Sequence, residues 1–558
     1  MNSKFCLVIA LGASVALTGC SKKLGQMKAD YFTTTPNPLE VVGQQVPASV
    51  AARIPAKYFV KNAELTVTPY LTYDGGEAAS TAYTYQGENV RGNNPVVNYE
   101  QGGTVTIPVN FTYIPAMNNS KLELGFTVQQ GKKQYVLPRV QVATGVIATA
   151  AMADAGSVTP AVAADKFQRV IADQVDADIL FLINQANIRD NQLRTEAMTG
   201  LKDRIQAANG DQKQEIEEIN IKSYASPDGA YDFNAKLAKK REDTTKDFMN
   251  KELQGVTFGE LTADFTPEDW EGFRKLVSES NIQDKDLILS VLSMYSDPEE
   301  REREIHNLSS VFEQLSAEIL PKLRYSRITA KINVIGKTDE EIAQAYKENP
   351  SSLSVDELLY YATLTDSPEK RAQIYSTAAE IYPTDYRTFN NLGMAQYQMK
   401  DYDAAKASFA QAARLAPQSV EPQMNIGLSD LQNGDFSQAQ TRFGNAAGVP
   451  ELGEALGVYY LKQGDNAAAA RAMEGVNSNN AALAQILTKD YSAAKKTLGA
   501  IATPDATTYY LTAVLGARTN NESMLTNALR QAIKLDPSML QKARTDLEFS
   551  RFNLSSVL

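Results

Sequence analysis

The C-terminal part of the chain repeats itself with a period of 34 residues, and this period constrains the fold more than any other feature of the sequence. The matched positions are Leu392, Gly393, Phe409 and Ala412 in one copy and Ile426, Gly427, Phe443 and Ala446 in the next. Small residues let paired helices approach closely, and aromatic rings fill the seam between them. The period therefore predicts a stack of helical hairpins that bury their apolar faces against one another.

This pattern resembles the tetratricopeptide repeat family. Pro383 and Pro417 lie one period apart, so an earlier, divergent copy ends at Pro383. The resemblance implies an all-α solenoid of about six repeats over residues 338–558, with a concave face that binds a segment of another protein. The residues expected on that face are Asn390, Met394, Tyr397, Met424, Leu428 and Leu431. The expected face lacks a lysine and arginine clamp for a terminal carboxylate, so the class of peptide stays open.

Residues 58–147 alternate apolar and polar side chains, as in Leu65-Thr66-Val67-Thr68, and glycine-containing turns separate the alternating runs. Strands at this spacing predict a small β-sandwich. Its aromatic residues either fill the core and pair across strands or form a platform for a glycan, and the first interpretation is favoured. The alanine-rich residues 143–164 are predicted to be a linker.

The N terminus has the pattern of an export signal. Lys4 precedes an apolar run from Phe5 to Leu17, which is too short to span a bilayer but fits a secretory signal peptide. The run ends in Leu17-Thr18-Gly19-Cys20, which resembles the lipobox of bacterial lipoproteins. The resemblance implies a signal peptide over residues 1–19 and a lipid on Cys20. The alternative is an ordinary signal peptide with an incidental cysteine.

The residues after Cys20 bear on where the protein sits. Residues 20–57 are polar and contain several prolines, which predicts a tether. Surface-exported lipoproteins of the Bacteroidota usually carry acidic residues just after the cysteine, whereas this chain has Ser21-Lys22-Lys23. We therefore expect an outer-membrane protein that is held by its lipid and faces the periplasm.

Residues 165–337 alternate between strand and helix patterns and predict an α/β domain. The predicted strands are 179–183, 216–224, 256–265 and 327–335, the predicted helices are 192–208 and 234–253, and 267–323 is mostly helical. A hydrophobic period of two residues predicts the strands, and a period of 3.6 residues predicts the helices. The domain is expected to be separate from the sandwich and from the repeats.

A motif in this domain resembles the core of OmpA-like peptidoglycan-binding domains. It is Ser-Tyr-Ala-Ser-Pro-Asp-Gly at residues 223–229, followed by Asn234 and Arg241 on the next helix. In that family an aspartate in the turn and an arginine on the helix bind diaminopimelate, since a guanidinium takes a carboxylate and an acid takes an ammonium. The arginine position matches Arg241 and the asparagine position matches Asn234. The aspartate position falls on Ser226, with Asp228 two residues away.

The same residues also fit a version of this fold that has a structural or interaction role. In that alternative Asn234 caps its helix and Arg241 forms a surface ion pair. The tail from Arg324 to Gly336 is similar to the family's last strand. The helical stretch before it would then be an insertion.

Composition excludes several other functions. The formal net charge is −11, spread along the chain, which disfavours nucleic acid as a partner. His306 is the only histidine, so a histidine-based triad or a multi-histidine metal site is not available. Walker loops, HExxH, nucleophile-elbow and paired-cysteine motifs are missing from the sequence. We expect no enzyme, cofactor or metal.

Three functional interpretations remain. The first is an outer-membrane lipoprotein that acts as an adaptor, whose repeats hold an envelope protein or peptide while the OmpA-like domain docks on peptidoglycan or on another protein. The second is a structural peptidoglycan anchor that maintains the envelope. The third is a glycan-binding surface lipoprotein that uses the β-sandwich.

Overall fold

The computed structural model describes residues 23–557 except 283, 308 and 556. This described part of the chain forms two units. One unit joins the described residues of 1–164 with residues 365–558, and the other comprises residues 165–364. The predicted lipidation site Cys20 and the predicted signal peptide lie outside the described residues. None of the helices in the part that is described has the length and apolar character needed to cross a membrane.

The N-terminal region of the first unit consists of strands. They are β1 (Phe32–Thr35), β2 (Leu39–Glu40), β3 (Gln45–Ile54), β4 (Ala63–Tyr73), β5 (Gly76–Ala79), β6 (Tyr83–Gly87), β7 (Val96–Val97), β8 (Gly103–Thr112), β9 (Ser120–Gln130), β10 (Lys133–Thr144) and β11 (Val146–Ile147). One sheet has the order β1-β3-β8, and the other has the order β10-β9-β4-β6-β7 with β5 also paired to β4. The short strands β2 and β11 pair in parallel.

Alternating side chains of these strands form one apolar core. On β4 and β9, Leu65 lies opposite Val128 and Val67 lies opposite Phe126, and all four are buried. The other sheet contributes buried residues such as Ile107 to the same core. Because successive side chains of a strand point to opposite faces, the period of two in the sequence corresponds to this buried face. The strand-rich fold predicted for residues 58–147 is confirmed.

The predicted tether does not describe residues 32–54, which form β1, β2 and β3. The chain before them is also packed, since Leu24 and Met27 are buried in the sandwich core. The Tyr58 hydroxyl donates a hydrogen bond to the Gly25 carbonyl at 2.6 Å. Threonine-rich β1 suits a strand because its side chains are β-branched, although the segment is polar. Polarity and prolines alone therefore predicted the wrong structure here.

The second unit alternates strands and helices. They are β12 (Val170–Leu180), α1 (Glu196–Asn209), β13 (Gln214–Tyr224), α2 (Tyr231–Glu252), β14 (Glu260–Thr266), α3 (Trp270–Glu279), α4 (Lys285–Met294), α5 (Pro298–Asn307), α6 (Ser309–Glu318), β15 (Tyr325–Ile335), α7 (Asp339–Glu348) and α8 (Val355–Thr363). The sheet order is β12-β15-β13-β14, with β15 antiparallel to both neighbours and β13 parallel to β14.

Helices α1 and α2 pack on this sheet. Leu201 and Ile205 of α1 and Met249 of α2 share a buried cluster with Ile219 and Ile328 of the strands. The helices α3 to α6 lie between β14 and β15 in the chain, where the sequence predicts an insertion, and residues of this stretch have a buried cluster of their own. The alternation of strand and helix that the sequence predicts is present.

The second unit extends beyond residue 337, where the repeat array was predicted to begin. The ring of Phe167 stacks on Tyr360 of α8, with 4.3 Å between the ring centroids. Arg169 donates to the Lys337 carbonyl at 3.0 Å and forms an ion pair with Asp339 of α7. These contacts attach α7 and α8 to the second unit. The helical array of the first unit therefore starts after residue 364.

That array is built from helical hairpins. Its helices are α9 (Pro368–Ile381), α10 (Tyr386–Gln398), α11 (Tyr402–Leu415), α12 (Val420–Gln432), α13 (Phe436–Gly444), α14 (Leu452–Gln463), α15 (Asn466–Ala472), α16 (Asn479–Leu487), α17 (Tyr491–Ala500), α18 (Ala506–Arg518), α19 (Glu522–Leu535) and α20 (Met539–Thr545). The second helices of four hairpins begin at an aspartate that accepts a backbone N–H, namely Asp401, Asp435, Asp465 and Asp490. Such capping satisfies a donor that the helix itself leaves free.

The seam of each hairpin has the composition that the repeat predicts. Gly393 of α10 faces Phe409 of α11, and a Cβ atom at residue 393 would lie 2.6 Å from that ring. Gly427 of α12 faces Phe443 of α13 in the same way, at 2.7 Å. Glycine is therefore required at these positions for the close approach of the two helices.

We expect Gly393→Ala to destabilise the protein by about 1–3 kcal/mol, because the added methyl group overpacks the seam. Gly499→Ala in α17 is the matched control, since a Cβ atom there meets nothing within 4 Å. Alanine at an open helical position is neutral or stabilises by up to about 1 kcal/mol. Urea unfolding followed by circular dichroism measures both variants. Equal midpoints for the two would contradict the seam packing.

Candidate functional site

The first helices of successive hairpins line one face of the array. Helix α12 contacts α10 and α14, and α16 contacts α14 and α18. A stretch of the same unit, residues 148–164, which we call the groove segment, lies along this face. Its first 3₁₀ turn, Thr149–Met152, contacts α14 and α16. Its second 3₁₀ turn, Ala155–Ser157, contacts α12 and α14.

Three asparagines of the array each bind both backbone groups of one residue of the groove segment. Asn391 Oδ1 accepts from Ala163 N at 2.9 Å, and its Nδ2 donates to Ala163 O at 2.9 Å. Asn425 makes the same pair of bonds with Ala161, at 2.7 and 2.8 Å.

Asn480 of α16 repeats this arrangement at the other end of the groove segment. It accepts from Asp154 N and donates to Asp154 O, both at 3.0 Å. A carboxamide has one acceptor and two donors, which match the N–H and the C=O of one residue. This geometry recognises an extended backbone independently of its side chains.

Further contacts surround these pairs. Asn390 Nδ2 donates to Ala161 O at 3.0 Å, and the Tyr397 hydroxyl donates to Ala155 O at 2.8 Å. Burial raises the pKa of Tyr397, so its hydroxyl stays protonated and remains a donor. Arg387 donates to the carbonyl of Ala164 at 3.3 Å.

The side chains of the groove segment that face the array are small. The buried ones are Thr149, Ala150, Ala153, Ala155, Val158, Pro160, Ala161 and Ala163. Gly156 has no room for a side chain, because a Cβ atom there would lie 2.4 Å from the Tyr402 hydroxyl. Val162, by contrast, is 45% exposed. Small residues are required because the carboxamides must reach the backbone.

The structure corrects two expectations about this region. The six residues predicted on an open concave face are all buried, none more than 3% exposed, and they are Asn390, Met394, Tyr397, Met424, Leu428 and Leu431. Residues 148–164, predicted to be a linker, occupy the groove instead. The sequence interpretation missed Asn391, Asn425 and Asn480. A signal for the first two exists, because Asn391 and Asn425 lie 34 residues apart, directly before the repeated apolar-Gly pair.

The start of the groove segment is held by the C-terminal end of the array. The Thr149 hydroxyl donates to the Glu548 carboxylate. Arg518 binds the same carboxylate through Nε at 3.0 and 3.1 Å, and the Glu548 side chain is only 5% exposed. The groove segment is therefore fixed along its length and not only at the asparagines.

In the second unit, Arg241 is fully buried and binds three carbonyls. Its Nε donates to Gln185 O at 3.0 Å, and its terminal nitrogens donate to Tyr224 O at 2.7 Å and Leu182 O at 3.2 Å. Burial lowers its pKa to about 10, which still leaves it charged at neutral pH. The predicted alternative of a surface ion pair for Arg241 is wrong. Its donors are directed to the protein's own backbone.

Ser226 and Asp228 meet an arginine that the sequence interpretation did not include. Arg324, which precedes β15, donates to Ser226 Oγ at 3.0 Å and to Asp228 Oδ2 at 2.8 Å. Ser226 Oγ also donates to Asp228 Oδ1 at 2.5 Å. The carboxylate of Asp228, the acid nearest to the family's aspartate position, is thus already paired within the protein.

Asn234 holds the turn before α2 in place. Its Nδ2 donates to Gly229 O at 2.7 Å, to Ser226 O at 3.2 Å and to Glu268 Oε1 at 3.1 Å. The capping residue of α2 is Ala230, whose side chain makes no capping bond, so the predicted capping role of Asn234 is wrong. Burial raises the pKa of Glu268. The motif is therefore a closed polar network.

An open cleft of about 610 Å³ adjoins this network. The loop residues 184–187, whose Gln185 carbonyl is bound by Arg241, form one wall, and α2 forms the other. Lys236 and Lys240 of α2 are exposed one helical turn apart in this cleft, next to the half-exposed ring of Phe233. Two cations beside apolar surface suit an anionic ligand with an apolar part.

The aromatic residues of the β-sandwich contribute mainly to its core. Phe59, Phe111, Phe126 and Tyr85 are all buried, and the Tyr85 hydroxyl donates to the Thr106 carbonyl at 3.0 Å. A glycan platform requires aromatic faces open to solvent. These residues therefore favour the core interpretation over the glycan platform.

Comparison with known families identifies the repeat. A tetratricopeptide repeat profile matches residues 386–419, which contain α10 and α11. The match confirms the predicted repeat type at this hairpin and indicates a protein-interaction module. A comparison with curated proteins finds no match to the chain.

Several solved structures are similar to parts of the chain. A chain of the APC/C Cut9–Hcn1 hetero-tetramer is 16% identical with a TM-score of 0.33, over 37% of this chain and 44% of that one. A tetratricopeptide repeat protein from Parabacteroides merdae is 12% identical with a TM-score of 0.30, over 38% and 91%. Pseudomonas aeruginosa pilF is 17% identical with a TM-score of 0.28, over 37% and 99%. The chain spans less than half of the Cut9–Hcn1 chain.

We expect Asn391→Ala combined with Asn425→Ala to release the C-terminal half of the groove segment. The change leaves the buried N–H groups of Ala161 and Ala163 and the C=O of Ala163 without their partners, at a cost of about 1–3 kcal/mol for each group, while Ala161 O keeps the bond from Asn390. Hydrogen–deuterium exchange of residues 153–164 should become at least about tenfold faster. Asn445→Ala, at an exposed helix end, is the control and should change nothing. Unchanged protection in the double variant would show that the asparagines do not hold the segment.

Proposed function

We propose that this protein is a non-enzymatic scaffold of the bacterial outer membrane, anchored by a lipid on Cys20 and facing the periplasm. Its tetratricopeptide repeats hold extended polypeptide, and its central unit is an OmpA-like domain that docks on peptidoglycan or on another envelope protein. The lipobox-like sequence at residues 17–20 supports the anchor. The motif at residues 223–229 supports the OmpA-like assignment.

The observation that carries the proposal is the paired binding of backbone by Asn391, Asn425 and Asn480. A groove that satisfies both backbone polar groups of Asp154, Ala161 and Ala163 is suited to binding polypeptide. This chemistry supports a scaffold role.

Crosslinking in intact cells tests the scaffold role. A lysine-reactive crosslinker has access to exposed lysines of the array such as Lys400, Lys495 and Lys496. We expect a defined envelope protein to be attached to residues 365–558 and recovered in the membrane fraction. The Cys20→Ala variant is the control and should lose membrane recovery while keeping the fold. If no protein is attached to the array, or if the wild type is recovered as a soluble protein, the scaffold proposal fails.

The cleft beside α2 is our candidate for the peptidoglycan contact, with Lys236 and Lys240 binding carboxylates of the peptide stem. Arg241→Ala is a poor probe of this contact, because it leaves three buried carbonyls without donors. Lys236→Gln with Lys240→Gln changes only exposed groups. It removes about 1 kcal/mol of charge attraction and should weaken sedimentation with isolated sacculi roughly fivefold.

The matched control is Lys246→Gln with Lys251→Gln, which makes the same charge change on the same helix outside the cleft. It should sediment with sacculi as the wild type does. Equal loss in both variants would indicate non-specific charge attraction. If the wild type does not sediment with sacculi, the peptidoglycan contact and the cell-wall anchor interpretation are excluded.

A further inference from the structure

We propose that the groove segment is a resident competitor that keeps the repeat groove closed, and that the partner it excludes is an extended peptide with small, uncharged residues at the positions that the array buries. This inference rests on the proposed scaffold function and specifies its ligand. The resting occupant is this chain's own residues 148–164. The partner takes its place by making the same backbone bonds.

The class of partner follows from the contacts. Asn391 and Asn425 contact the N–H and C=O of alternate residues. These bonds can therefore form with any sequence whose backbone comes close enough. Ala161 and Ala163 are buried, at 1% and 0% exposure, so larger side chains at these positions would hold the backbone away. Val162 between them is exposed and leaves its position free to vary. The pattern required of a partner is therefore small, variable, small in an extended chain.

Small residues also face the array at the other end of the groove, where the segment forms the 3₁₀ turn Ala155–Ser157. Gly156 lies against Tyr402 without space for a Cβ atom, and the flanking Ala155 is buried. Asn480 binds the backbone of Asp154, whose side chain is exposed and is not read by the groove. A partner peptide thus needs small residues at the positions of 155 and 156. Charge is tolerated only where the side chain points outward.

Tethering makes the groove segment a strong competitor. It follows directly after β11 and precedes the second unit, so its local concentration is that of a short intramolecular connection, on the order of millimolar. A free peptide that binds the groove only as tightly as the segment does therefore has an apparent dissociation constant of about 1 mM or above. A partner reaches a lower apparent dissociation constant only if its intrinsic affinity for the groove exceeds that of the segment.

A release variant tests this inference. Ala161→Pro with Ala163→Pro removes the two N–H groups that Asn425 and Asn391 accept, because proline has no amide hydrogen. Val162→Pro is the matched control, since it places one proline in the same stretch but spares both of these N–H groups. All experiments use the full mature chain. Circular dichroism and the unfolding midpoint establish that each variant is folded.

The probe is a fluorescent peptide with the sequence of residues 149–164, and its binding is followed by anisotropy. We expect the release variant to bind it at least about tenfold more tightly than the wild type or Val162→Pro. A peptide N-methylated at the positions of Ala161 and Ala163 should not bind the release variant, whereas one N-methylated at Val162 should. Adding Asn391→Ala and Asn425→Ala to the release variant should abolish binding.

Several results would overturn the inference. Equally tight binding to wild type and release variant would show that the segment does not guard the groove, and no binding to either would show that the groove takes no peptide in trans. A wild-type dimer that dissociates in the release variant would place the segment in the groove of a second copy. If the release variant does not fold, the inference is tested by hydrogen exchange of the wild type. Peptide at millimolar concentration should then accelerate the exchange of residues 153–164, and unchanged exchange would overturn the inference.

The outcome is separable from that of the scaffold proposal. If crosslinking in cells attaches a protein to the array equally in wild type and release variant, the scaffold function stands and the competitor role is wrong. If the peptide binds only the release variant but no cellular protein is attached, the groove chemistry stands and the scaffold role fails. Support for both requires a cellular partner whose attachment increases in the release variant.

Discussion

The bond pair between an asparagine side chain and one backbone residue is the interaction on which the first unit depends. A buried peptide group must have a hydrogen-bonding partner, and the groove segment has no strand beside it to provide one. Asn391, Asn425 and Asn480 take the place of that strand. Together with direct contacts such as Gly43 with Lys462 and Gly145 with Leu547, they join the N-terminal sandwich and the C-terminal array, which are far apart in the sequence, into one unit. The groove is thus a structural element of the fold as well as a candidate binding site.

Local periodicity was sufficient to predict the helices of the array and the strands of the sandwich after residue 58, but it missed the strands of residues 32–54. The spacing of Gly393 and Phe409 and the alternation from Leu65 to Thr68 both lie within short stretches of sequence, so they are visible without the structure. The occupant of the groove was not predictable in this way, because Ala161 and Asn425 are brought together by tertiary packing across more than two hundred residues. The period did contain part of the answer, since an asparagine recurs at residues 391 and 425. The role of these asparagines is defined by the backbone of Ala161 and Ala163, which only the tertiary structure brings against them.

The OmpA-like motif shows a second limit of sequence reasoning. The spacing correctly placed Ser226 and Asp228 in the turn before a helix and Asn234 on that helix, because this arrangement is local. The spacing could not show which charged residue pairs with Asp228, because Arg324 follows helices α3 to α6 in the sequence. It also suggested ligand contacts for Arg241, whereas burial directs that side chain to backbone carbonyls. In both cases a non-local partner decides whether a polar group is free for a ligand.

The groove and the motif share one energetic consequence. Their polar groups are already satisfied internally, so a ligand exchanges hydrogen bonds and does not add them, and its net gain is only the difference between two sets of similar bonds. Backbone bonds to Asn391 or Asn425 are the same for the groove segment and for any replacement. Preference for a partner must then come from contacts that the segment lacks, at its exposed positions such as Val162 or beyond its ends. On this chemistry the groove selects an extended chain with small residues at the buried positions, and discrimination among such chains comes from contacts outside the groove.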